Sequence, residues 1–285
     1  MVRIIVDSAS DISLAESQKL GVTMVAMEIK FGEDEFLDGV TLSSNEFYDK
    51  LIESDVMPKT SMINPFRWEE EFEKVVAQGD EAVVVTISSK LSGTYESARQ
   101  ASERFGGKVF VVDSLNASVG ERLLCYLALK MRDEGKSASE IASVLDEQKQ
   151  RICIMAMLNT LEYLKKGGRI SSTVAFVGEV LSIKPVVSIV DGEVKMVGKA
   201  IGSKNGNNLL NRLVEKNGID FSMPLGLIWS GNDDSVLKKY VRDSARLWED
   251  HTDEIPAYAI GSTIGTHVGP GAIGVAFFAQ QQKEE

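Results

Sequence analysis

Short apolar runs alternate with amphipathic segments along the first half of the chain. Buried strands are predicted at residues 3–8, 82–89 and 109–114, where β-branched side chains follow one another. Helical periodicity follows the second and third of these runs, at 94–104 and 118–133. The repeated order of strand and helix indicates right-handed crossovers and an α/β fold with a doubly wound, mainly parallel sheet.

Between the first two predicted strands, capping residues mark two helix starts. Ser43 and Glu46 have the spacing of a capping box, in which side-chain and backbone groups satisfy each other. Asn64 followed by Pro65 places a cap and a first-turn proline before an amphipathic run. The segment "MPKTSMINP" at 57–65 contains a proline near each end, and it is predicted to be a polar loop that either carries a site or only connects two elements.

Beyond about residue 150 the pattern predicts a second set of strands and helices. In order these are a strand at 151–158, a helix closed by glycine at 160–169, an apolar helix at 173–183, a hairpin turning at Asp191-Gly192, a helix at about 203–216, a strand at 225–230, a helix at about 233–248, a strand at 257–261, a glycine-rich loop at 261–274 and a last strand at 275–279. No low-complexity linker separates the two halves. The chain is therefore predicted to contain two α/β domains, residues 1–150 and 151–285, that share an interface.

Composition argues against several classes of function. The chain has 285 residues and a net charge of −11, so bulk electrostatics would repel it from nucleic-acid phosphates and anionic membranes. Its two cysteines, Cys125 and Cys153, lie in apolar stretches without metal or disulfide spacing. The start "MVRIIVDSAS" is too short and too polar for a signal peptide, and no apolar run approaches the roughly 20 residues of a membrane helix. We therefore expect a cytoplasmic protein with no nucleic-acid partner, no metal and no stable membrane insertion.

Three loops rich in serine and aspartate, "DSASD", "SSKLSGT" and "DSLNAS", follow the three predicted strands of the first half. Ligands of open α/β sheets lie beyond the carboxyl ends of the strands, where the N-termini of the next helices also point. Ser92, Gly93 and Thr94 open one such helix, and the glycine lets another group approach the backbone closely. The loop suits a small anion held by hydroxyl and N–H groups, although N-capping alone would favour the same residues. The motifs G-x-x-x-x-G-K-[ST] and G-x-G-x-x-G are absent, so a nucleotide site is not indicated.

The two histidines limit the choice of a general base. His251 lies in an acidic stretch typical of an exposed surface, whereas His267 lies among glycines in "GTHVGPGAIG", which indicates a shaped loop. G-x-S-x-G is absent, yet Ser92 and His267 from distant loops could still form a nucleophile and its base. The lysines of "EYLKKGGR" fit a solvated helix end, while Arg169 could point into a cleft and hold a carboxylate or a partner.

Seven stretches together resemble the DegV family, whose members bind fatty acids. They occur in family order along essentially the whole chain: "IIVDSASDI", "MPKTSMINP", "ISSKLSGTYESA", "VVDSLNASVG", "LEYLKKGGRIS", "IKPVVSIVDGEV" and "GTHVGPGAIG". The resemblance implies two α/β domains with one long-chain fatty acid between them, such as palmitate, stearate or oleate. It also implies a carrier protein without catalytic residues and without a cofactor.

The site residues that the resemblance implies lie in four of these stretches. In the family the carboxylate is held by the Thr-Ser loop and by the serine of the S-G-T loop, and an arginine and a histidine lie near the head group and the surface where a partner docks. The matching residues here are Thr60, Ser61, Ser92, Gly93, Thr94, Arg169 and His267. The acyl chain would enter the second domain, where the apolar segment at 173–183 is a candidate wall.

The resemblance further implies a protein partner and leaves three hypotheses to compare. Some bacterial members deliver the fatty acid to a fatty acid kinase, which makes acyl phosphate for phospholipid synthesis. Here Lys199 is present, but Ile201 stands where family members usually carry an arginine, so coupling to such a kinase is expected to be weak or directed to another partner. The alternatives to a carrier are an acyl hydrolase or transferase using Ser92 with His267, and a binder of another small carboxylate.

Overall fold

A computed structural model describes residues 1–171, 182–252 and 254–281 of the chain. In chain order the strands are β1 (Val2–Asp7), β2 (Val22–Val25), β3 (Glu28–Phe31), β4 (Asp34–Leu37), β5 (Lys59–Ser61), β6 (Glu81–Thr86), β7 (Val109–Asp113), β8 (Ile152–Met157), β9 (Ile183–Val190), β10 (Glu193–Ile201), β11 (Leu225–Trp229), β12 (Ala257–Ala259) and β13 (Ile273–Phe278). The helices are α1 (Leu14–Leu20), α2 (Ser44–Glu53), α3 (Pro65–Ala77), α4 (Thr94–Ser102), α5 (Val119–Asp133), α6 (Ala138–Gln148), α7 (Glu162–Lys166), α8 (Ser203–Asn217), α9 (Ser235–Asp243) and α10 (Ser262–Val268). Residues 173–181 of the predicted apolar helix lie outside the described residues.

A four-stranded parallel sheet in the order β2-β1-β6-β7 forms the first half of the fold. Its central strands are apolar on both faces, and Ile5 and Val84, which pair across β1 and β6, are fully buried. The predicted parallel sheet is confirmed. The predicted strand at 82–89 ends early, at Thr86, because the Ile87 N–H turns away from the ladder and donates to a side chain, Asp7.

A six-stranded mixed sheet in the order β10-β9-β8-β13-β11-β12 forms the second half. The predicted hairpin is β9 and β10, and its turn residues Asp191 and Gly192 have φ angles of 53° and 82°. Two consecutive positive φ angles are the signature of a type I′ turn, which matches the twist of antiparallel strands. Strand β13 lies between β8 and β11 and is antiparallel to both.

In two segments the observed secondary structure differs from the predicted one. The predicted loop at 57–65 contains β5, which pairs with β3 in a small third sheet of order β4-β3-β5. The predicted glycine-rich loop at 261–274 contains α10, because Gly261 and Gly269 flank seven residues whose first N–H groups are bound by an aspartate from elsewhere in the chain. Both elements are too short for apolar periodicity to reveal them.

The predicted helix starts in the first half are confirmed. Ser43 and Glu46 form a complete capping box before α2. The Asn64 side chain accepts a hydrogen bond from the Arg67 N–H at 3.1 Å, and Pro65 is the first residue of α3. Caps of this kind each stabilise a helix by about 1 kcal/mol.

Helix α5 joins the two main sheets. It packs against β1 and β6 of the parallel sheet and against β8, β11 and β13 of the mixed sheet. Leu123, Leu124 and Cys125 are fully buried in an apolar cluster that contains residues from both halves. Each fully buried leucine stabilises the fold by about 1.5–3 kcal/mol, so this shared core ties the halves together. The proposed domain boundary at residue 150 falls in the turn at Lys149–Arg151, between α6 and β8, and stays a prediction.

Across the described ranges, no helix combines the length and the apolar character that crossing a membrane requires.

Candidate functional site

A cavity of about 310 Å³ lies where the parallel sheet, the mixed sheet and α10 meet. This volume is within the range of small-molecule sites, about 300–1000 Å³. Most of its lining is apolar and comes from both halves of the chain, including Ile87 after β6, Ile154 on β8, Val187 on β9 and Ile264 on α10. Five of the seven predicted site residues line it: Thr60, Ser92, Gly93, Arg169 and His267. Four of these, Thr60, Ser92, Arg169 and His267, carry polar side chains and are called the polar wall below.

Thr60 and His267 are hydrogen-bonded partners although 207 residues separate them in the chain. Strand β5 carries Thr60, and its pairing with Ile29 of β3 fixes the position of the threonine. Helix α10 carries His267 in its last turn. Thr60 Oγ1 and His267 Nε2 are 3.1 Å apart, so one hydrogen bond joins the small sheet to α10 at the edge of the cavity.

The His267 imidazole is neutral at physiological pH. Burial, and secondly the nearby positive charge of Arg169, lower the pKa of His267 to about 4. Its Nδ1 atom is buried and has no hydrogen-bond partner among the described residues. The tautomer protonated at Nε2 avoids burying an N–H group without an acceptor, so His267 donates to Thr60 and leaves the Thr60 proton for another acceptor.

Two glycines allow α7 and α10 to pack closely around this histidine. A Cβ atom at Gly167 would collide with the His267 ring, and one at Gly269 would collide with the Tyr163 ring. Gly269 also has a φ angle of 68°, which glycine adopts without strain. Gly167 at the end of α7 and Gly269 at the end of α10 therefore permit the close packing of these two helices.

Ser92 lines the cavity at the start of α4, and its hydroxyl is 2.8 Å from the Thr94 hydroxyl. Ser92 Oγ also accepts a hydrogen bond from the Thr94 N–H at 3.3 Å, so it partly satisfies the helix N-terminus itself. A Cβ atom at Gly93 would lie 2.5 Å from the Met62 sulfur, which is the close approach that this glycine permits. The capping and ligand-facing interpretations of Ser92 are thus compatible.

The Arg169 side chain joins the loop at Leu91 to the glycine turn after α7. Its Nε donates to the Leu91 carbonyl at 3.2 Å, and its Nη1 donates to the Gly167 carbonyl at 2.5 Å. These bonds hold the guanidinium at the wall of the cavity rather than in bulk solvent. The neighbouring Lys166 pairs with Glu162 at 2.6 Å on the exposed side of α7, as expected for a solvated helix end.

The other two predicted site residues lie outside the cavity lining. Ser61 is exposed, because successive residues of β5 point to opposite sides and Thr60 takes the inner side. Thr94 is fully buried behind Ser92 and contacts it through its hydroxyl. A direct ligand contact by Ser61 or Thr94 is not supported by this geometry.

The aspartates of the serine- and aspartate-rich loops bind backbone groups. Asp7 accepts hydrogen bonds from the N–H groups of Ala9 and Ile87, each at 2.8 Å. Burial raises the pKa of both Asp7 and Asp11 to about 7, and it also raises the pKa of Asp38. We call Asp7, Asp11 and Asp38 the carboxylate cluster.

The carboxylate cluster also binds the N-terminus of α10. Asp11 accepts from the Gly261 N–H at 2.8 Å. Asp38 accepts from the N–H groups of Ser262 and Thr263 at 3.0 and 3.2 Å. These N–H groups are therefore used inside the protein, and the aspartates of "DSASD" bind backbone N–H groups of the chain itself.

The geometry does not favour a catalytic pair of Ser92 and His267. In the structure the Ser92 hydroxyl contacts Thr94, while His267 Nε2 contacts Thr60. A serine nucleophile needs a base within hydrogen-bond reach. What the polar wall offers instead is a set of fixed hydrogen-bond donors beside an apolar cavity.

Sequence reasoning missed several residues that line the same cavity. Met27 and Met62 contribute flexible apolar side chains, and Ser118 and Thr263 contribute hydroxyl-bearing ones. Ser118 belongs to the predicted "DSLNAS" loop, so its sequence position was a usable signal. Thr263 lies in α10, and nothing in its local pattern distinguishes it from a loop residue.

Comparison with known proteins identifies relatives over the whole chain. The family model described as "Uncharacterised protein, DegV family" matches residues 1–280. A curated relative, a DegV domain-containing protein of Clostridium perfringens, is 34% identical, and the match covers 99% of this chain and 98% of the relative.

Solved structures show the same fold. A DegV family protein from Thermus thermophilus, described by its fatty acid binding, superposes with a TM-score of 0.87 at 27% identity and covers 98% of this chain and 99% of its own. A stearic-acid-binding protein from Eubacterium ventriosum superposes with a TM-score of 0.83 at 26% identity and covers 98% of both chains. The predicted α/β fold and the predicted resemblance are both confirmed.

Proposed function

This chain belongs to the DegV family, and from that premise we propose that it binds a long-chain fatty acid without forming a covalent bond. The carboxylate of the ligand lies at the polar wall, and the acyl chain occupies the apolar part of the cavity. Stearic acid is bound by the E. ventriosum neighbour, and palmitate, stearate and oleate are the candidate ligands of this chain. The protein acts as a carrier and performs no chemistry on the ligand.

The observation that carries the proposal is the combination of an apolar cavity with hydrogen-bond donors, including the charged Arg169 guanidinium, at one part of its wall. An acyl chain matches the apolar lining from both sheets. A carboxylate matches donors that have no internal carboxylate to bind, in contrast to the N–H groups at the start of α10.

The acyl chain and the carboxylate of the ligand contribute differently to the binding free energy. Each buried methylene stabilises the complex by about 0.8 kcal/mol, so the tail supplies most of the gross affinity. Each charge-assisted hydrogen bond adds about 1.5–3 kcal/mol and orients the carboxylate. Part of the gross gain is lost because the flexible chain becomes ordered on binding.

The hydrogen-bond donors that would hold the carboxylate come from three side chains. With His267 donating to it, the Thr60 hydroxyl keeps its own proton for the ligand. The Ser92 hydroxyl faces the same cavity, and the Arg169 guanidinium adds a positive charge at its wall. The neutral His267 imidazole supports the Thr60 hydroxyl by donating a hydrogen bond to it.

We further propose that a fatty acid kinase is the protein partner of the carrier. The exposed face of β10 carries Lys199 and Ile201, and Ile201 is 68% exposed. Residues two apart on a strand share a face, so Ile201 occupies a position beside Lys199 that an arginine would make more basic. A kinase that recognises this face by electrostatic attraction is therefore expected to bind weakly.

Native mass spectrometry of the purified protein tests the ligand class directly. We expect a co-purifying mass of a long-chain fatty acid that disappears on delipidation. The delipidated protein should then bind long-chain acids more tightly than their methyl esters and should not bind butyrate. Equal binding of ester and acid would remove the head-group assignment, and binding of butyrate alone would favour a small-carboxylate site.

A further inference from the structure

The loop before α5 holds Ser118 in a backbone conformation that serine rarely adopts. Its φ and ψ angles are 55° and −138°, close to a type II′ turn position dominated by glycine. Such strain persists only where the surrounding structure enforces it, and it is concentrated at functional sites. The position of Ser118 in a connecting loop does not by itself account for this conformation.

Several contacts enforce this conformation. The Ser118 N–H donates to the Ala9 carbonyl at 2.7 Å. Gly120 packs so tightly against Asn116 that a Cβ atom there would lie 2.5 Å from the Asn116 amide oxygen. The Ser118 hydroxyl donates to Asp11, whose other carboxylate oxygen is bound to the Gly261 N–H. Backbone and hydroxyl are thus both fixed in direction.

The same serine lines the cavity. Because its single hydroxyl proton is given to Asp11, Ser118 Oγ can only accept a hydrogen bond from a ligand. Within the described part of the chain, no group donates to this oxygen. A hydroxyl that already donates to a carboxylate is polarised, which makes its oxygen a better acceptor.

Helix α10 separates the hydrogen-bond partner of Ser118 from His267 of the polar wall. Asp11, the partner of Ser118, is bound to Gly261 immediately before α10, whereas His267 lies in the last turn. Six residues of helix correspond to about 9 Å. An acyl chain whose carboxylate is at Thr60 and His267 would thus reach Ser118 several methylene groups from its head.

We infer that Ser118 forms a second polar subsite for a hydroxyl group carried in the middle of the acyl chain, so that hydroxylated long-chain fatty acids are ligands of this protein. The inference rests on the proposed function. A hydroxyl buried among apolar side chains without a hydrogen bond is strongly disfavoured. At Ser118 the ligand hydroxyl would donate to Oγ, and Oγ would donate to the Asp11 carboxylate.

Competition binding with stearate and a series of monohydroxystearates tests the subsite. The delipidated protein is loaded with a fluorescent fatty acid, and the hydroxyl is moved stepwise along the competing chain. We expect a maximum of affinity at one mid-chain position, where the hydroxyl meets Ser118. A smooth decline at every position away from the carboxylate would overturn the subsite.

Two serine variants give the decisive comparison. Ser118→Gly keeps the backbone conformation without strain and removes the hydroxyl, so it should fold. We expect it to lose about tenfold in affinity for the best hydroxystearate while its affinity for stearate changes less than about twofold. Ser188→Ala is the matched control, since Ser188 lines the cavity on β9 and its hydroxyl has only a 3.5 Å contact to the Ile189 carbonyl.

The possible failures are distinguishable. Equal loss for stearate and hydroxystearate in Ser118→Gly, or selective loss in Ser188→Ala instead, would overturn the Ser118 subsite and leave fatty acid binding standing. If no fatty acid displaced the probe from the wild-type protein, the proposed function and the subsite would both be wrong.

Discussion

The polar wall and the carboxylate cluster contain similar groups but use them differently. In the carboxylate cluster, Asp38 accepts the N–H groups of Ser262 and Thr263, so the donors at the start of α10 are bound within the protein. In the polar wall, Thr60 has a neutral histidine as its partner and retains a proton. A hydroxyl-rich loop beside a helix N-terminus therefore indicates a ligand site only when no internal carboxylate already takes its donors.

The two regions also differ in their electrostatics. The carboxylate cluster brings acidic groups together under burial, and burial raises the pKa of Asp7 and Asp11 to about 7. The polar wall instead pairs a base of lowered pKa, His267, with a nearby guanidinium. The carboxylate cluster stabilises the fold through hydrogen bonds to backbone N–H groups, whereas the polar wall suits a negatively charged ligand.

The largest expected effect comes from the carboxylate cluster. Asp38→Ala leaves two buried N–H groups at the start of α10 without acceptors, each costing about 1–3 kcal/mol, so unfolding should require about 2–6 kcal/mol less free energy. Urea denaturation measures this, with Asp34→Ala, an exposed aspartate on β4, as the control. If both variants were equally stable, Asp38 would not be the acceptor that holds α10.

The pH dependence of stability should have opposite signs in the two regions. Since the folded pKa of His267 is lowered from 6.5 to about 4, its contribution is complete above pH 6.5 and is lost as the pH falls towards 4. Since the folded pKa of Asp7 is raised from 3.8 to about 7, its contribution is present below pH 3.8 and is lost as the pH rises through 7. Over its window, the contribution of His267 amounts to about 3 kcal/mol and that of Asp7 to about 4 kcal/mol.

Denaturation between pH 4 and pH 8 of the wild type, His267→Gln and Asp7→Asn separates these contributions. His267→Gln should flatten the loss of stability on the acid side, and Asp7→Asn should flatten the loss towards neutral pH. Parallel stability curves for all three proteins would mean that neither group changes its protonation on unfolding.

A change in the polar wall should weaken ligand binding. Thr60→Val removes the hydroxyl that would donate to the carboxylate, and fatty acid affinity should fall by about 1–3 kcal/mol, or roughly 5- to 150-fold. Ser61→Ala is the matched control because Ser61 is exposed on the other side of β5. Titration with a fluorescent fatty acid checks both, and an equal effect of the two changes would contradict the assignment of Thr60.

The smallest effect is expected at the surface. Ile201→Arg adds a charge to the exposed face of β10 and should increase acyl-phosphate formation with a purified fatty acid kinase several-fold, about the range of an exposed ion pair of up to 1 kcal/mol. Val197→Arg adds the same charge elsewhere on that face and should have less effect. Identical gains from both would show that only overall charge matters there.

What the sequence by itself determined is the framework around these regions. Runs of β-branched residues predicted β1, β6 and β7 because strands buried on both faces leave a continuous apolar signal. Local capping chemistry predicted the starts of α2 and α3, since a cap and its partner lie within one helical turn. The family resemblance rested on motifs whose order along the chain needs no three-dimensional information.

What only the tertiary structure decided is which polar groups remain for a ligand. The hydrogen bond between Thr60 and His267 joins residues 207 positions apart, and the bond between Asp11 and Ser118 joins residues 107 positions apart. Strand β5 and helix α10 are too short to have a period of their own, and they form because distant partners bind their backbone and fix their side chains. The local sequence pattern does not reveal hydrogen bonds between distant residues. Only the folded chain shows that the aspartates bind backbone groups of the protein and that the Thr60 hydroxyl accepts from His267 and keeps its own proton.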